Sequence, residues 1–222
     1  MVESTSRGDH GGSGSEESSG SGSGDGEPDG SSTGHAADCQ PFFDEDAGPT
    51  VSIDVRNETA EPIYLVISLQ SPVTIRGPDG TTVHWTAGAW PLSCETLMQG
   101  VQFCGICGCN ERTFRITPGG RWSTTWEGLT LERVTLPDGC WDQGACGPDC
   151  LVARAPDVGL WTFEVAASTG ITCSEGPCEC AETLPDGSCV IFDDMVLHDE
   201  SIRTETAALD YPGATSVELV FE

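Results

Sequence analysis

Cys104-Gly105-Ile106-Cys107-Gly108-Cys109 is the densest group of soft ligands in this chain. A C-x-x-C-x-C run can set three thiolates around one zinc ion, with Cys94 as a fourth ligand. The same thiols can instead be shared among disulfides, or form a redox dithiol. A reactive C-x-x-C draws its lowered thiol pKa from a helix N-terminus, and no helical period follows Cys109. Nine further cysteines (Cys39, Cys94, Cys140, Cys146, Cys150, Cys173, Cys178, Cys180 and Cys189) bring the total to an even twelve. In an exported protein such a count reads as a disulfide framework. The pairing is not deducible, since twelve cysteines allow on the order of ten thousand arrangements. Cys140–Cys150 and Cys178–Cys189 are the nearby clasps to expect, each stabilising by about 2–4 kcal/mol.

Other chemistry is sparse. A nucleophile–base pair needs a histidine placed by the fold, and after the first 38 residues only His84 and His198 remain. His84 sits in a strand pattern beside Trp85, and His198 sits in a loop before Asp199 and Glu200. No Gly-x-Ser-x-Gly, His-Glu-x-x-His or phosphate-binding loop occurs. The acidic pairs lack the ligand spacing of an EF-hand. No catalytic residue set and no cofactor are therefore expected. Asn57-Glu58-Thr59 matches the pattern of a glycosylation acceptor. Trp90 and Trp141 lie in loops and are the candidate binding aromatics, for a carbohydrate or a peptide. Trp122 with Trp126, and Trp161 with Phe163, share strand parity and read as core.

The elements that must position these residues are strands. Val51, Ile53 and Val55 alternate with Ser52, Asp54 and Arg56, which is the half-buried strand period. Ile63 to Leu69 is a nearly continuous apolar run and reads as one central strand. Gly77-Pro78-Asp79-Gly80 marks a turn, and Pro-Asp-Gly recurs at Pro28, Pro137 and Pro185. Thr117-Pro118-Gly119-Gly120 reads as a further hairpin, and Trp161 to Val165 and Val217 to Glu222 add strands. One short helical turn is expected around Cys94 to Gly100. The pattern predicts an all-β, immunoglobulin-like antiparallel β-sandwich of about 8–10 strands with long disulfide-stapled loops.

Residues 1–38 are almost entirely Ser, Gly, Asp and Glu and cannot bury enough apolar surface to offset ordering. They read as a disordered acidic tail or tether with a coil reach of about 35 Å, leaving residues 39–222 as a single cysteine-rich sandwich domain. The net charge is -27, from 36 acids against 9 basic residues, all of them Arg. Eight of those acids and Arg7 lie in the tail, so -20 remains on the rest. This balance excludes nucleic acid, whose binding rests on neutralising phosphates, and attachment to anionic lipid by charge. The longest apolar stretch, Ile63 to Ile67, is far short of a membrane span. Met1-Val2-Glu3-Ser4 has no secretory leader pattern, so an extracytoplasmic protein implies either a true start upstream, with room for a lipid anchor, or export that is not Sec-type, and the Ser/Gly/Asp tail favours the first.

Ile116-Thr117-Pro118-Gly119-Gly120-Arg121-Trp122-Ser123-Thr124-Thr125-Trp126-Glu127-Gly128 is followed by Ala155-Pro156-Asp157-Val158-Gly159-Leu160-Trp161-Thr162-Phe163. Together with the tail and the cysteine clusters, these segments resemble cysteine-rich predicted surface lipoproteins of myxobacteria. The strands alone resemble, more distantly, the bacterial intracellular proteinase inhibitor family. The first resemblance implies a cell-surface or secreted protein. Three functions stay open: a non-catalytic domain for adhesion or for binding an extracellular protein or glycan, a protease inhibitor with a braced loop between Cys140 and Cys150, and a metal or redox protein using Cys94, Cys104, Cys107 and Cys109.

Overall fold

A computed structural model of the chain describes residues 39–67, 71–85, 92–100, 113–141, 147–174, 176–192 and 195–222. The strands are β1 (Val51–Asn57), β2 (Ile63–Leu65), β3 (Val73–Arg76), β4 (Thr82–Val83), β5 (Thr113–Ile116), β6 (Arg121–Trp126), β7 (Thr130–Thr135) and β8 (Asp149–Arg154). They continue as β9 (Gly159–Ser168), β10 (Ile171–Cys173), β11 (Glu182–Thr183), β12 (Cys189–Ile191), β13 (Met195–Leu197), β14 (Ile202–Tyr211) and β15 (Ser216–Phe221). One short helix, α1 (Cys94–Met98), is capped by the Ser93 hydroxyl, which accepts from the Thr96 N–H.

Two sheets face each other across one core. The small sheet runs β15–β1–β6. In the large sheet β9 carries β14 along one edge, and β2 and β3 lie end to end along the other. Beyond them, β5 pairs with β2, β4 with β3, and β12 and β11 follow β5. The period-two residues Val51, Ile53 and Val55 point inward and are fully buried, as are Ile75, Phe163 and Val165 from the opposite sheet. Trp126 is the centre of this layer, with ring centroids 5.0 Å from Trp161, 5.1 Å from Tyr211 and 5.9 Å from Phe163. Such tilted and edge contacts add about 0.5–1.5 kcal/mol each beyond area burial. The all-β sandwich is the fold that the alternation predicts.

Four expectations change in detail. The apolar run from Ile63 pairs with β9 as far as Val66, whose N–H donates to Ala166 O, and the pairing resumes at Val73 opposite Val165 on the same edge of β9. The run to Leu69 is thus one strand position interrupted by a loop, and Leu69 lies outside the described residues. Thr117-Pro118-Gly119-Gly120 does form a tight turn, with the Gly120 N–H donating to Thr117 O at 2.8 Å. The strands it joins do not pair, because β5 belongs to the large sheet and β6 to the small one. Among the described strands pairing is antiparallel except between β1 and β15, which run parallel, Ile53 opposite Val217 and Val55 opposite Leu219. A parallel pair needs a long connection, and here most of the chain separates the two strands. Breaks of this kind also make the described strand segments more numerous than expected. The Pro-Asp-Gly turns hold as expected at Pro78, Pro137 and Pro185, each with its Gly at positive φ (83°, 94° and 84°). Asp79 accepts from the Thr81 hydroxyl and N–H, which hold its carboxyl below the usual range.

A second, smaller core lies outside the sandwich. The β7–β8 ribbon, α1 and a 3₁₀ turn at Gln40–Phe42 gather Leu97, Leu136 and Val152 around Cys39, Cys94, Cys140 and Cys150. Four disulfides are present among the described residues: Cys39–Cys140, Cys94–Cys150, Cys173–Cys178 and Cys180–Cys189. The expected Cys140–Cys150 and Cys178–Cys189 clasps are both replaced. α1 packs on β8 and brings Cys94 to a Cα separation of 4.9 Å from Cys150, while the 3₁₀ turn brings Cys39 to Cys140 at 5.6 Å. Neither approach is visible in local sequence. Bonds of this kind persist in oxidising compartments.

The first two bridges span 101 and 56 residues, whereas Cys173–Cys178 spans 5. Chain entropy therefore orders their effects. Cys94→Ala/Cys150→Ala is expected to cost about 4 kcal/mol, and Cys173→Ala/Cys178→Ala about 2 kcal/mol. Urea denaturation of the two double variants checks the order, and equal losses would reject it.

Candidate functional site

The two flanks of the sandwich differ. On one, β14 and β15 pack against each other and are joined by the short connection of residues 212–215. On the other, β6 is the last strand of the small sheet, and its outer edge faces β4 and β5 across a gap. The gap is a groove of about 480 Å³, lined by Trp85, Phe114, Trp122, Pro72 and Leu184 with Ser71, Ser123, Thr124, Thr125 and Glu127.

Each wall follows from its strand. Trp122 is an inward residue of β6, 6 % exposed, and its ring centroid lies 5.2 Å from that of Phe114 on β5. Trp85 follows β4 and is held by its indole N–H, which donates to Val73 O at 3.1 Å. Both edges of the gap are thereby aromatic. The rim is hydroxylic, from Ser123, Thr124 and Thr125, while Ser71 is buried and accepts from the Val73 N–H. Its one ionised member, Glu127, accepts from Thr50 and Thr125. The turn between β11 and β12 closes one end of the edge, because the Asp186 carboxylate accepts from the Ser123 N–H at 3.2 Å. A volume of this size lies in the range of small-ligand sites. The arrangement can stack or bury a flat apolar face and hydrogen-bond its polar edges.

The expected site residues fall elsewhere. Trp141 is half-buried and packs into the second core beside Phe42 and Leu92, so it is no exposed platform. Its place there follows from the Cys140 bridge, which pulls residue 141 onto the β7–β8 ribbon. Trp90, Cys104, Cys107, Cys109 and Cys146 lie outside the described residues. Cys94, the expected fourth ligand of a zinc site, is bonded to Cys150 instead, which leaves no thiolate there to bind metal. Among the described residues no group of three His, Cys, Asp or Glu could hold a metal ion.

The sequence matches no family model, no curated protein and no solved structure.

The histidines take structural positions. His84 is exposed, and its carbonyl accepts from the Leu131 N–H at 2.6 Å, linking β4 to the β7–β8 ribbon. The His198 ring contacts the Thr172 hydroxyl at 2.9 Å through Nε2. Its other side lies against Gly170, where a Cβ would come within 2.6 Å of Nδ1. Around it the Ser168 and Ser201 hydroxyl oxygens lie 2.6 Å apart, so one of them donates to the other, which donates in turn to a backbone carbonyl, Gly170 O or His198 O. This cluster ties the end of β9 to the β10–β13 ribbon and the start of β14. No helix among the described residues is long and apolar enough to cross a membrane.

Sequence reasoning missed the groove. Trp122 is a core residue by its parity and is buried as such. Its part in a binding surface depends on β6 pairing with no outer strand among the described residues, and nothing local to β6 signals that.

Proposed function

We propose that this protein is a non-catalytic binding domain of the cell surface or secreted fraction, and that the groove beside β6 takes a neutral glycan. The groove carries the reading. The half-buried Trp85 and Phe114, with Trp122 packed behind Phe114, present apolar surface to the C–H face of a sugar ring, and the hydroxylic rim matches its polar edge. The charge of -20 outside the tail repels anionic polysaccharides, which narrows the class to neutral ones. The disulfides support an extracytoplasmic location, and residues 1–38 serve as a tether in this reading.

The test is tryptophan fluorescence of the intact chain titrated with a panel of neutral and acidic oligosaccharides. A saturable change with a neutral member is expected, weakened about tenfold or more by Thr125→Arg, which places a long exposed side chain across the rim. No response to any saccharide, or an unchanged affinity in the variant, rejects the reading. The inhibitor alternative rests on the segment between Cys140 and Cys150, of which residues 142–146 lie outside the described residues. The metal or redox alternative rests on Cys104, Cys107 and Cys109, which lie outside them as well.

A further inference from the structure

β14 is an edge strand ten residues long, and among the described residues only β9 pairs with it. Its hydrogen-bonding directions follow from β9. Ala166 O accepts from the Val66 N–H on the β2 side, so alternation turns the main-chain groups of Arg203, Glu205, Ala207 and Leu209 towards β9. Those of Ile202, Thr204, Thr206 and Ala208 point away from the sheet. Among the described residues nothing hydrogen-bonds them there, and all four residues are exposed. Exposed edges are ordinarily guarded by proline, by charged side chains (lysine above all), by a bulge or by a covering loop, and the charges of β14 are Arg203, Glu205 and Asp210, of both signs. β14 contains no proline or lysine, and its register with β9 is unbroken from Ile202 to Tyr211.

We infer that this edge pairs with the β14 edge of a second copy of the chain, antiparallel, about a two-fold axis at Thr204. The charges select that register. With Thr204 opposite Thr204, Arg203 of each copy stands opposite Glu205 of the other, and Ile202 opposite Thr206. Shifting the axis to residue 203 sets Arg203 against itself, and shifting it to 205 sets Glu205 against itself. At 206 neither charge meets an opposite one. Directly opposed unlike charges favour a strand pair, and like charges disfavour it. Ile202, a large apolar residue 37 % exposed on this edge, is covered in the same register. A C2 contact of this kind is self-complementary and closed, so it stops at two copies. The acidic surface opposes association at low ionic strength, and screening over a Debye length of about 8 Å at physiological salt relieves that repulsion.

Analytical ultracentrifugation of the full chain at physiological salt, from about 1 to about 500 µM, tests the inference. A concentration-dependent dimer is expected. Arg203→Glu and Glu205→Arg should each weaken it about tenfold or more, since each reversal creates two like-charged pairs. The double variant R203E/E205R should return to within about threefold of the original, because the swap recreates both opposed pairs. Thr204→Pro, which removes the N–H at the axis, should leave only monomer while the circular dichroism spectrum is retained. A monomer at every concentration, single reversals without effect, or a double variant as weak as the singles would each overturn it.

Discussion

Asn57→Asp is expected to lower stability by about 3–5 kcal/mol at neutral pH. Asn57 is the last residue of β1 and has no exposed surface. Its side-chain amide donates to Glu61 O at 2.8 Å and Ile116 O at 3.0 Å. Its oxygen accepts from the Thr59 N–H at 3.0 Å and the Thr59 hydroxyl at 2.7 Å. Both donors and both lone pairs are thus used. A carboxylate in that place would face two carbonyl oxygens and lose both donors. Burial and the facing carbonyls would raise its folded pKa above the unfolded value near 3.9. The sign follows: a raised acid binds its proton more tightly when folded, so the variant is at its best below about pH 4 and loses stability as the pH rises above that. Asn57→Ala should cost about 2–4 kcal/mol with no such pH dependence, because it leaves the same groups unpaired without adding charge. Chemical denaturation of both variants between acid and neutral pH checks this, and a loss under 1 kcal/mol in N57D would reject it.

The same geometry bears on the groove and on modification. The main chain of Asn57 brackets the 117–120 turn, its N–H donating to Gly120 O and its carbonyl accepting from the Gly119 N–H. That turn carries the chain from Phe114 to Trp122, across from one sheet to the other. Loosening Asn57 therefore separates two walls of the groove. Because both amide hydrogens are committed inside the fold, Asn57 offers no site for a glycan in the folded protein, whatever the pattern Asn57-Glu58-Thr59 suggests.

Gly48→Ala is expected to cost about 2–4 kcal/mol, and Tyr211→Phe to recover most of that loss. A Cβ at position 48 would stand 1.8 Å from the Tyr211 hydroxyl oxygen. With the hydroxyl removed, the nearest ring atom, Cζ, lies at 3.1 Å, a contact that a small shift absorbs. Gly128 approaches the same hydroxyl, with a Cβ distance of 2.6 Å and a φ of +63°, so the phenol end is clasped between two glycines. Tyr211 is 3 % exposed, and its hydroxyl makes no hydrogen bond among the described residues. Tyr211→Phe alone should consequently be neutral or stabilise by up to about 1 kcal/mol. Burial pushes the phenol pKa up, so its contribution is fully present below the unfolded value near 10 and is lost as the pH rises beyond it. The phenylalanine variant should lack that alkaline loss. Thermal melts of the four members of this cycle settle the coupling, and additive losses in the double variant would reject the contact.

What local sequence determines about this protein is what short-range physics acts on. The alternation of Val51, Ile53 and Val55 sets which face of β1 is buried, and Trp122 with Trp126 does the same for β6, since strand parity is a property of neighbouring residues. The Pro-Asp-Gly turns at Pro78, Pro137 and Pro185 follow from a fixed φ, an aspartate cap and a permissive glycine. The α1 turn follows from Ser93 and the residues after it. Only the tertiary structure decides the rest. Cys140 meets Cys39 across 101 residues rather than its neighbour Cys150, because packing of α1 and the 3₁₀ turn on the β7–β8 ribbon sets which thiols converge. Trp141 looks like an exposed loop aromatic until that bridge draws it into the second core. The groove exists because β5 and β6 part into different sheets after an ordinary tight turn, and because β6 then pairs with no outer strand among the described residues. Periodicity and turn chemistry reach over a few residues, and which strand edges are left unpaired is decided by contacts between segments far apart in the chain.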